Sequence, residues 1–433
     1  MRHALFVVFH YPPEASSSGV LRTLKFSRYL ADFGWRVTVL TLERKAYEIT
    51  DERLEAQVPD SVRVVRTAYL NTKRHLAIRG VYPAALAVPD TWIGWFPWAV
   101  AAGRRILGED PVDLVFSTSP HPTAHLIGRA LARRARAPHV IDFRDPWHEE
   151  PPERGTPAVV AWAAPRLERR VVRSAAHVVT STTELRDLLH ARYADERAEK
   201  FTAILNGYDE ADFAALPERA PARTDRLVAV HAGNINAEFR DPCPLLEAIA
   251  RANAEGRLDA SKILLRFIGG GPYADAERMR KCVADTGLTG AVEFVPRVPY
   301  AEALAALASA DLLLLLQASE DTVSLVPAKL YEYLRSMRPV LALVLPGATS
   351  EVIARTGGGW LADPRDGAAL QKTVVEIYAL WQRGELAGRH ASMEALRQFD
   401  RRRLTGELAA IFDATVDARA RRNGIAAGNA GRL

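Results

Sequence analysis

Short apolar segments alternate with longer amphipathic segments along almost the whole chain. The apolar or β-branched runs predict strands at 4–10, 36–41, 62–66, 112–117, 139–143, 177–181, 201–205, 227–231, 263–268, 292–295, 312–317, 340–343 and 359–361. Helical stretches lie between most of them, and this alternation is typical of βαβ units with parallel sheets. The run DLLLLLQ is apolar almost throughout, as expected for a sheet covered by helices on both faces. We therefore predict an α/β fold.

A segment rich in proline, alanine and charge, 213–226, separates two series of strands and helices that each start afresh. We interpret this segment as a linker. The division assigns residues 1–212 to an N-terminal domain and 227–395 to a C-terminal domain. No strand follows the last helical stretch, 396–422, and the glycine- and alanine-rich residues 423–433 are predicted to form a disordered tail.

Composition excludes several classes of protein. The 433 residues carry a net charge of only +5 with no strongly basic block, so no nucleic-acid partner is expected. The two cysteines, Cys243 and Cys282, form no CxxC motif, which argues against a disulfide framework or zinc site and favours the cytoplasm. No apolar stretch approaches the roughly 20 residues of a membrane span. The N-terminal apolar run is too short for a signal peptide.

Charged and small residues follow the predicted strands of the first domain, where open parallel sheets bind their ligands. Asp142, Arg144 and Asp145 come at the end of the fifth strand, and a carboxylate beside a guanidinium stays ionised and oriented. We favour a functional loop over a structural pair that pins the chain. Three serines, 16–18, and Gly19 precede a helix whose N-terminus would attract a phosphate or an acceptor hydroxyl, although an ordinary capped loop explains them equally well.

Two loops of the second half carry candidate phosphate-binding residues. Asn234 follows a strand, and Arg240 lies six residues later, where its planar guanidinium could contact a diphosphate. A surface arginine is the alternative. The glycines 269–271, including Gly271, permit close approach of a ligand to the backbone, although a tight turn explains them individually. They lack the Lys-Ser/Thr of a P-loop, so ATP hydrolysis is not implied.

The segment 319–343 contains the most informative pattern, a loop, a helix and a strand in close order. Lys329 and Glu332 are three residues apart, which places them on one helix face. A glutamate in the first turns of such a helix can accept hydrogen bonds from two ribose hydroxyls. The alternative is an exposed ion pair.

Several motifs of other enzyme classes are absent from the sequence. It has no GxGxxG, GxSxG, HExxH or DxD, which disfavours a nicotinamide dehydrogenase and a metal-held diphosphate. His121 and His125 are four residues apart, but no third metal ligand is evident, so helix capping or packing is favoured. We expect neither a metal nor another cofactor.

Taken together, six segments resemble the family 4 glycosyltransferases with the GT-B fold, over nearly the whole chain. They are HYPPEASSSGVLR, FRDPW, ILNGYDEADF, HAGNINAEFRDP, FIGGGP and VPAKLYEYLRSMRPVLAL. The resemblance implies two Rossmann-like domains facing across a cleft and a final helix that returns to the first domain. It also implies a nucleoside-diphosphate-sugar (NDP-sugar) donor held mainly by the C-terminal domain, an acceptor held mainly by the N-terminal domain, and retention of anomeric configuration.

The resemblance also assigns roles to individual residues. Glu332 matches the glutamate that binds the donor ribose. Asn234 and Arg240 stand where the family usually places a basic pair on the diphosphate, and Gly19 falls in the N-terminal glycine loop near the sugar and phosphate. Glu332, Asn234, Arg240 and Gly19 form the expected donor site together with Gly271, Ser324 and Lys329.

Two positions depart from the family pattern. Ser324 replaces the first glutamate of the paired-glutamate motif, and FRDP replaces the histidine that follows the fifth strand in many members. Branches of the family with RDPW and VPxK patterns share both changes. We therefore assign Ser324 and Lys329 to the donor site, and Asp145, placed by Arg144, to catalysis.

The expected activity is transfer of a sugar from UDP- or GDP-sugar to a hydroxyl of a glycan or lipid-linked acceptor, in surface polysaccharide or glycoconjugate synthesis. Such an enzyme aligns the acceptor and neutralises the leaving diphosphate, and it need not supply a covalent nucleophile. Two alternatives share the fold: a non-catalytic nucleotide-sugar-binding protein, and a nucleotide-sugar epimerase.

Basic and aromatic residues of the first domain also suggest peripheral binding to an anionic membrane at its cytoplasmic face, because tryptophan beside arginine suits a lipid headgroup interface. The alternative is that the arginines are solvated and the aromatic residues fill the core. The residues concerned are Arg129, Arg133, Arg134, Arg136, Arg166, Arg169, Arg170, Arg173, Trp92, Trp95, Phe96 and Trp98.

Overall fold

The computed structural model of the protein describes residues 1–17, 19–148, 152, 155–216 and 225–430, with the backbone alone at 321 and 423–430. By its internal contacts the chain divides into two compact units. The first comprises Met1–Asn206 with Arg401–Leu433, and the second comprises Gly207–Asp400. Each unit is built around one parallel sheet, which confirms the predicted α/β class.

The first unit contains a seven-stranded sheet in the order β3-β2-β1-β4-β5-β6-β7. Its strands are β1 Arg2–Val7, β2 Trp35–Leu42, β3 Arg63–Thr67, β4 Leu114–Thr118, β5 His139–Phe143, β6 His177–Thr180 and β7 Phe201–Ala203. All neighbouring strands pair in parallel. Strand β1 ends earlier than predicted, so residues 8–17 form the loop that follows it.

The second unit contains a six-stranded sheet in the order β10-β9-β8-β11-β12-β13, also parallel. Its strands are β8 Leu227–Ala232, β9 Ile263–Ile268, β10 Val292–Val295, β11 Leu312–Gln317, β12 Val340–Val344 and β13 Gly359–Ala362. In both sheets the chain order reverses at the centre, between β1 and β4 and between β8 and β11. These are the switch points at which open α/β sheets bind ligands.

The α-helices lie between the strands and cover the sheets. They are α1 Gly19–Tyr29, α2 Glu52–Glu55, α3 Thr72–His75, α4 Phe96–Glu109, α5 Pro122–Ala135, α6 Ala158–Ser174, α7 Thr183–Arg192, α8 Glu210–Ala214, α9 Cys243–Ala254, α10 Glu277–Asp285, α11 Tyr300–Ser309, α12 Lys329–Arg335, α13 Ala348–Thr356, α14 Gly367–Gln382, α15 Met393–Leu396 and α16 Arg401–Ala430. Among the described residues, no helix is long and apolar enough to cross a membrane.

Alternate residues of each central strand pack into different cores, because successive side chains of a strand point to opposite faces. On one face of the first sheet, Phe6 packs with Phe412 of α16, the ring centroids being 6.3 Å apart. On the other face, Val7 packs in a cluster with Ile127 of α5. The return of the final helix to the first unit, implied by the family resemblance, is therefore confirmed.

The boundaries of the units differ from the predicted ones. The first break falls before α8, because Glu210 of α8 accepts hydrogen bonds of 2.9 and 2.6 Å from Arg335 of α12 and so belongs with the second unit. Residues 217–224 of the predicted linker lie outside the described residues. The final helix begins at Arg401 rather than at 396, and its backbone remains helical to Ala430, past the predicted start of the tail at 423. Extending an existing helix by one residue is cheap, since it adds a hydrogen bond for each residue fixed.

Candidate active site

A buried ion pair lies at the centre of the first sheet's carboxyl edge, which is the edge formed by the carboxyl ends of its strands. Arg22 of α1 donates hydrogen bonds of 3.1 and 2.7 Å to the two carboxylate oxygens of Asp142 at the end of β5, and both side chains are almost fully buried. Thr118 Oγ1 donates a third bond of 2.7 Å to the same carboxylate. Asp142 is therefore a structural residue that ties α1 to β5, and its ion-pair partner is Arg22.

Arg144 lies on the N-terminus of α1. Its backbone N–H donates to Ser119 Oγ at 2.7 Å, and a Cβ added to Gly19 would lie 2.0 Å from the guanidinium carbon. Burial lowers the pKa of Arg144, and the charges of Asp145 and Asp142 oppose that shift. The guanidinium of Arg144 therefore occupies the space beside the Gly19 Cα, so two residues assigned to different roles lie in contact.

Asp145 is exposed beside Arg144 at the same edge of the sheet. Its carboxylate forms no hydrogen bond with the residues that the structure describes. It is therefore the one carboxylate of the 142–145 cluster that is available to a ligand.

A histidine and a glutamate in the loop after β1 complete this edge. His10 Nδ1 lies 2.9 Å from Glu14 Oε2, and Glu14 Oε1 accepts hydrogen bonds from the backbone N–H groups of Ser16, at 2.6 Å, and Ser17, at 3.2 Å. Burial acts to raise the pKa of Glu14, but its bonds to His10 and Ser16 outweigh burial and lower it. This pair was not predicted from the sequence. Its signal is a histidine followed four residues later by glutamate in the loop at a switch point.

His121, directly before α5, lies beside the loop that follows β1. Its ring centroid lies 4.1 Å from that of Phe9 and 5.9 Å from that of His10. Burial and the charges of His10 and Arg144 lower the pKa of His121 to about 3, so the ring is neutral near pH 7. His125, four residues later, is fully buried and lies 2.8 Å from Ser117 Oγ. Packing, rather than metal binding, accounts for this pair.

In the second unit, the amine of Lys329 lies over the turn that follows β8. Its Nζ donates a hydrogen bond of 2.6 Å to the Ala232 carbonyl, and a Cβ added to Gly233 would lie 2.5 Å from that nitrogen. Gly233 has φ +116°, a conformation that favours glycine. Burial and the charge of Arg240 lower the pKa of Lys329 to about 7, against the opposing charge of Glu332.

Arg240 supplies the second positive charge at this switch point. Its backbone N–H donates to Asn236 Oδ1 at 3.1 Å, and its guanidinium lies 4.9 Å from the centre of the Phe239 ring. Burial lowers the pKa of Arg240. In the part of the chain that the structure describes, no carboxylate forms an ion pair with Arg240 or Lys329. The charge of Arg240 lowers the pKa of Lys329, and two partly buried cations without a counter-ion among the described residues constitute a site for an anion.

Asn234 and Gly271 lie together at the edge of the same site. A Cβ added to Gly271 would lie 3.2 Å from Asn234 Oδ1, and Gly271 has φ +72°. The structure thus brings together the two loops that follow β8 and β9, as expected for neighbouring strands of a parallel sheet. Asn234 is exposed, so its amide is accessible to a ligand.

Glu332 is almost buried on α12, three residues after Lys329. One of its carboxylate oxygens accepts a hydrogen bond of 2.8 Å from the Tyr300 hydroxyl of α11. Tyr333, the next residue, accepts a bond of 2.7 Å from the backbone N–H of Ala232, which anchors the helix to the end of β8. Ser324 is exposed in the loop before α12 and forms no side-chain hydrogen bond with the described residues.

Among the described residues, no group of three histidine, cysteine or acidic side chains is placed to hold a metal ion. The loops at the carboxyl edge of each sheet present cations, carboxylates, hydroxyls and glycine-lined backbone to which a ligand can bind. Two doubly wound parallel sheets with such loops at their switch points define a protein of the Rossmann-like, ligand-binding α/β class.

Comparison with protein families identifies the member of that class. Residues 19–207 match the family described as Glycosyl transferase 4-like domain, and residues 226–379 match Glycosyl transferases group 1. Together the two matches span most of the chain, which therefore belongs to the glycosyltransferases of this two-domain family. The resemblance inferred from the motifs is confirmed. No protein with a curated description matches the chain in sequence.

Solved structures with the same architecture include glycosyltransferases of low sequence identity. HepE from Anabaena, in complex with UDP and glucose, has a TM-score of 0.64 at 16% identity, covering 96% of this chain and 100% of that one. A glycosyltransferase from Rickettsia africae has a TM-score of 0.65 at 14% identity, with 96% and 98% coverage. WaaG, a glycosyltransferase involved in lipopolysaccharide biosynthesis, has a TM-score of 0.60 at 16% identity, with 95% and 99% coverage. The fold is therefore that of the GT-B glycosyltransferases.

Proposed function

We propose that the protein transfers a sugar, with retention of configuration, from an NDP-sugar to a hydroxyl of a glycan or lipid-linked acceptor. The observation that carries this proposal is the pair of cations Arg240 and Lys329, which have no carboxylate ion-pair partner among the described residues and lie at the switch point of the second sheet. The complexes of HepE with UDP and with UDP-glucose support an NDP-sugar as the ligand.

The donor is held by the second unit. Arg240 and Lys329 bind the diphosphate, since both are positively charged donors and their mutual repulsion is relieved by an anion. Glu332 binds the ribose through the carboxylate that Tyr300 orients. Asn234, Gly271 and Ser324 border the sugar and phosphate, because they lie on exposed loops after neighbouring strands.

The first unit holds the acceptor and the groups closest to the chemistry. Asp145 is free to accept a hydrogen bond from the acceptor hydroxyl, and Arg144 fixes the loop that carries it. His10, oriented by buried Glu14, offers a second polar group at the same edge. Catalysis is by alignment and by electrostatic stabilisation of the leaving diphosphate, and it requires neither a metal nor another cofactor.

The acceptor reaches the protein at a membrane surface. Trp162 near the start of α6 is 61% exposed, and Arg166 lies 4.4 Å from its ring. Helix α6 contacts the segment 84–87, whose Leu86 is 49% exposed. Because α6 follows β5, its N-terminus lies at the carboxyl edge, on the same side as Asp145. Exposed apolar groups beside basic ones suit an interfacial contact with anionic lipid.

This surface differs from the one drawn from sequence. Trp95 is fully buried and donates a hydrogen bond of 2.8 Å to Thr67 Oγ1, so it belongs to the core as the alternative supposed. Arg129 and Arg133 lie near the end of α5, at the opposite edge of the sheet.

We expect salt-sensitive binding to vesicles of anionic lipid that Trp162→Ala weakens, and none to neutral vesicles. Equal binding to both kinds of vesicle, or to neither, would refute the proposed contact with anionic lipid.

The transfer reaction is tested by incubating the protein with a panel of UDP- and GDP-sugars and following the products by mass spectrometry. One donor should release free nucleoside diphosphate and sugar at a slow rate, which rises when a polyprenyl-linked or glycan acceptor is added. Tight binding of a donor without turnover would indicate a binding protein, and conversion of the sugar without release would indicate an epimerase. The exposed Lys372→Gln variant is a matched control for Lys329→Gln, which should lose donor binding.

A further inference from the structure

A cavity of about 1130 Å³ opens at the amino edge of the first sheet, opposite the edge that carries Asp145. Pro138 and His139, at the start of β5, and Ala176 and His177, at the start of β6, line its floor. The C-terminal ends of α5 and α6, the segment 196–200 and helix α16 form its walls. The candidate active site uses none of these residues.

The cavity is strongly positive. Eight basic and two acidic side chains line it. Two of the basic ones are neutralised nearby, since Arg173 pairs with Asp195 and Lys200 pairs with Glu196 at 2.8 Å. The other six form no ion pair with the described residues; these are Arg129, Arg133, Arg136, Arg197, Arg419 and Arg422.

Two basic groups at the cavity have pKa values that burial, as the largest cause, lowers. Burial and the charge of Arg133 lower the pKa of Arg129, and burial with the charge of Lys200 lowers the pKa of His177 to about 4. His139 is 3% exposed, and its Nε2 lies 2.8 Å from Ser117 Oγ. Its Nδ1 is buried without a hydrogen-bond partner among the described residues.

Favourable interaction with the partial charges at helix ends explains only some of the arginines in the cavity. Basic side chains in the last turn of a helix offset its partial negative charge, which accounts for Arg133 in α5. It does not account for Arg197, which precedes a short helical turn, or for Arg419 and Arg422, which α16 brings from the far end of the chain. The six guanidinium groups without an ion-pair partner among the described residues come from α5 with its C-terminal end, from the segment 196–200 and from α16, and an anion between them would relieve their mutual repulsion.

We propose that this cavity binds a multiply charged phosphate group, either in a soluble phosphate or diphosphate compound or in the phosphomonoester headgroup of a lipid. Guanidinium groups bind phosphate oxygens in pairs, which matches the residues that the cavity presents. The site is separate from the donor site of the second unit and does not depend on the proposed sugar transfer.

Inorganic pyrophosphate is the first probe, measured by titration calorimetry. The titrated protein is the full chain with Lys329→Gln and Arg240→Gln, two substitutions that remove the proposed donor site. Pyrophosphate binding to the cavity is thereby measured independently of the proposed sugar transfer. We expect one saturable site. Adding Arg133→Gln and Arg136→Gln should weaken binding at least about tenfold, or about 1.4 kcal/mol. The matched pair Arg104→Gln and Arg105→Gln, two exposed arginines of α4, should change it less than about twofold.

Binding to lipid vesicles distinguishes a lipid headgroup from a soluble phosphate compound as the ligand of the cavity. Phosphatidic acid vesicles are compared with phosphatidylglycerol vesicles of equal total charge. A preference for phosphatidic acid that pyrophosphate competes away, and that Arg133→Gln with Arg136→Gln abolishes, assigns the site to a lipid headgroup. Saturable pyrophosphate binding without that preference assigns it to a soluble compound. Absence of saturable pyrophosphate binding, or equal weakening by the Arg104 and Arg105 control pair, overturns the proposal.

Discussion

Donor affinity should fall as pH rises through neutrality, and Lys329 should be the group responsible. In the free protein, burial and the charge of Arg240 lower the pKa of Lys329 to about 7 from its ordinary value of 10.5. A diphosphate bound at these two cations supplies the negative charge that raises this pKa again. Above pH 7, binding of the donor therefore takes up a proton.

The magnitude follows from the size of the pKa change, since one unit corresponds to about 1.36 kcal/mol. If the bound donor restores an ordinary lysine pKa, the Kd should be nearly constant below about pH 6.5 and should rise toward about tenfold per pH unit above 7. Between about pH 6 and pH 8.5 the total change is about 30-fold, or about 2 kcal/mol.

The stability of the free protein should change in the opposite direction. The folded state releases the Lys329 proton near pH 7, whereas the unfolded chain keeps it until about pH 10.5. The unfolded state thus binds more protons in this window, so the contribution of Lys329 to the free energy of unfolding rises with pH. The predicted loss of donor affinity therefore does not come from a loss of stability caused by Lys329 itself.

The assay is calorimetric titration with UDP-glucose, or with whichever donor the product screen identifies, because its diphosphate diester does not titrate in this range. Lys329→Gln should bind weakly at every pH and show no slope, whereas Lys372→Gln should retain the wild-type slope. A Kd of the wild-type protein that does not vary from about pH 6 to 8.5, or a slope that persists in Lys329→Gln, would refute the reasoning.

Three further predictions test the other proposed roles. Glu332→Ala should raise the donor KM by the equivalent of about 1.5–3 kcal/mol, the contribution of a hydrogen bond to a charged group, and unchanged donor affinity would remove Glu332 from the ribose site. Asp145→Asn should lower kcat more than it changes donor binding, and activity within about twofold of wild type would make Asp145 a structural residue. Activity should persist in EDTA, and complete loss restored only by Mg²⁺ or Mn²⁺ would contradict metal-independent transfer.

The sequence determined the elements of this protein. Strands β5, β9, β10 and β11 have the predicted bounds, and every other predicted strand is present with shifted ends. Runs of apolar and β-branched residues between amphipathic helices leave few alternatives, because each strand must bury both of its faces. Motif order was sufficient to identify the family, and the same pattern placed the candidate loops at the carboxyl ends of strands.

Only the tertiary structure decided which of those residues meet. Asp142 pairs with Arg22, which lies 120 positions away, and this leaves Asp145 as the accessible carboxylate of its loop. The guanidinium of Arg144 lies against Gly19, a contact between residues far apart in the chain. The basic cavity exists because α16 returns to the first unit and places Arg419 and Arg422 opposite α5. Such contacts depend on how helices pack over an open sheet, and a local pattern of polar and apolar positions does not contain that information.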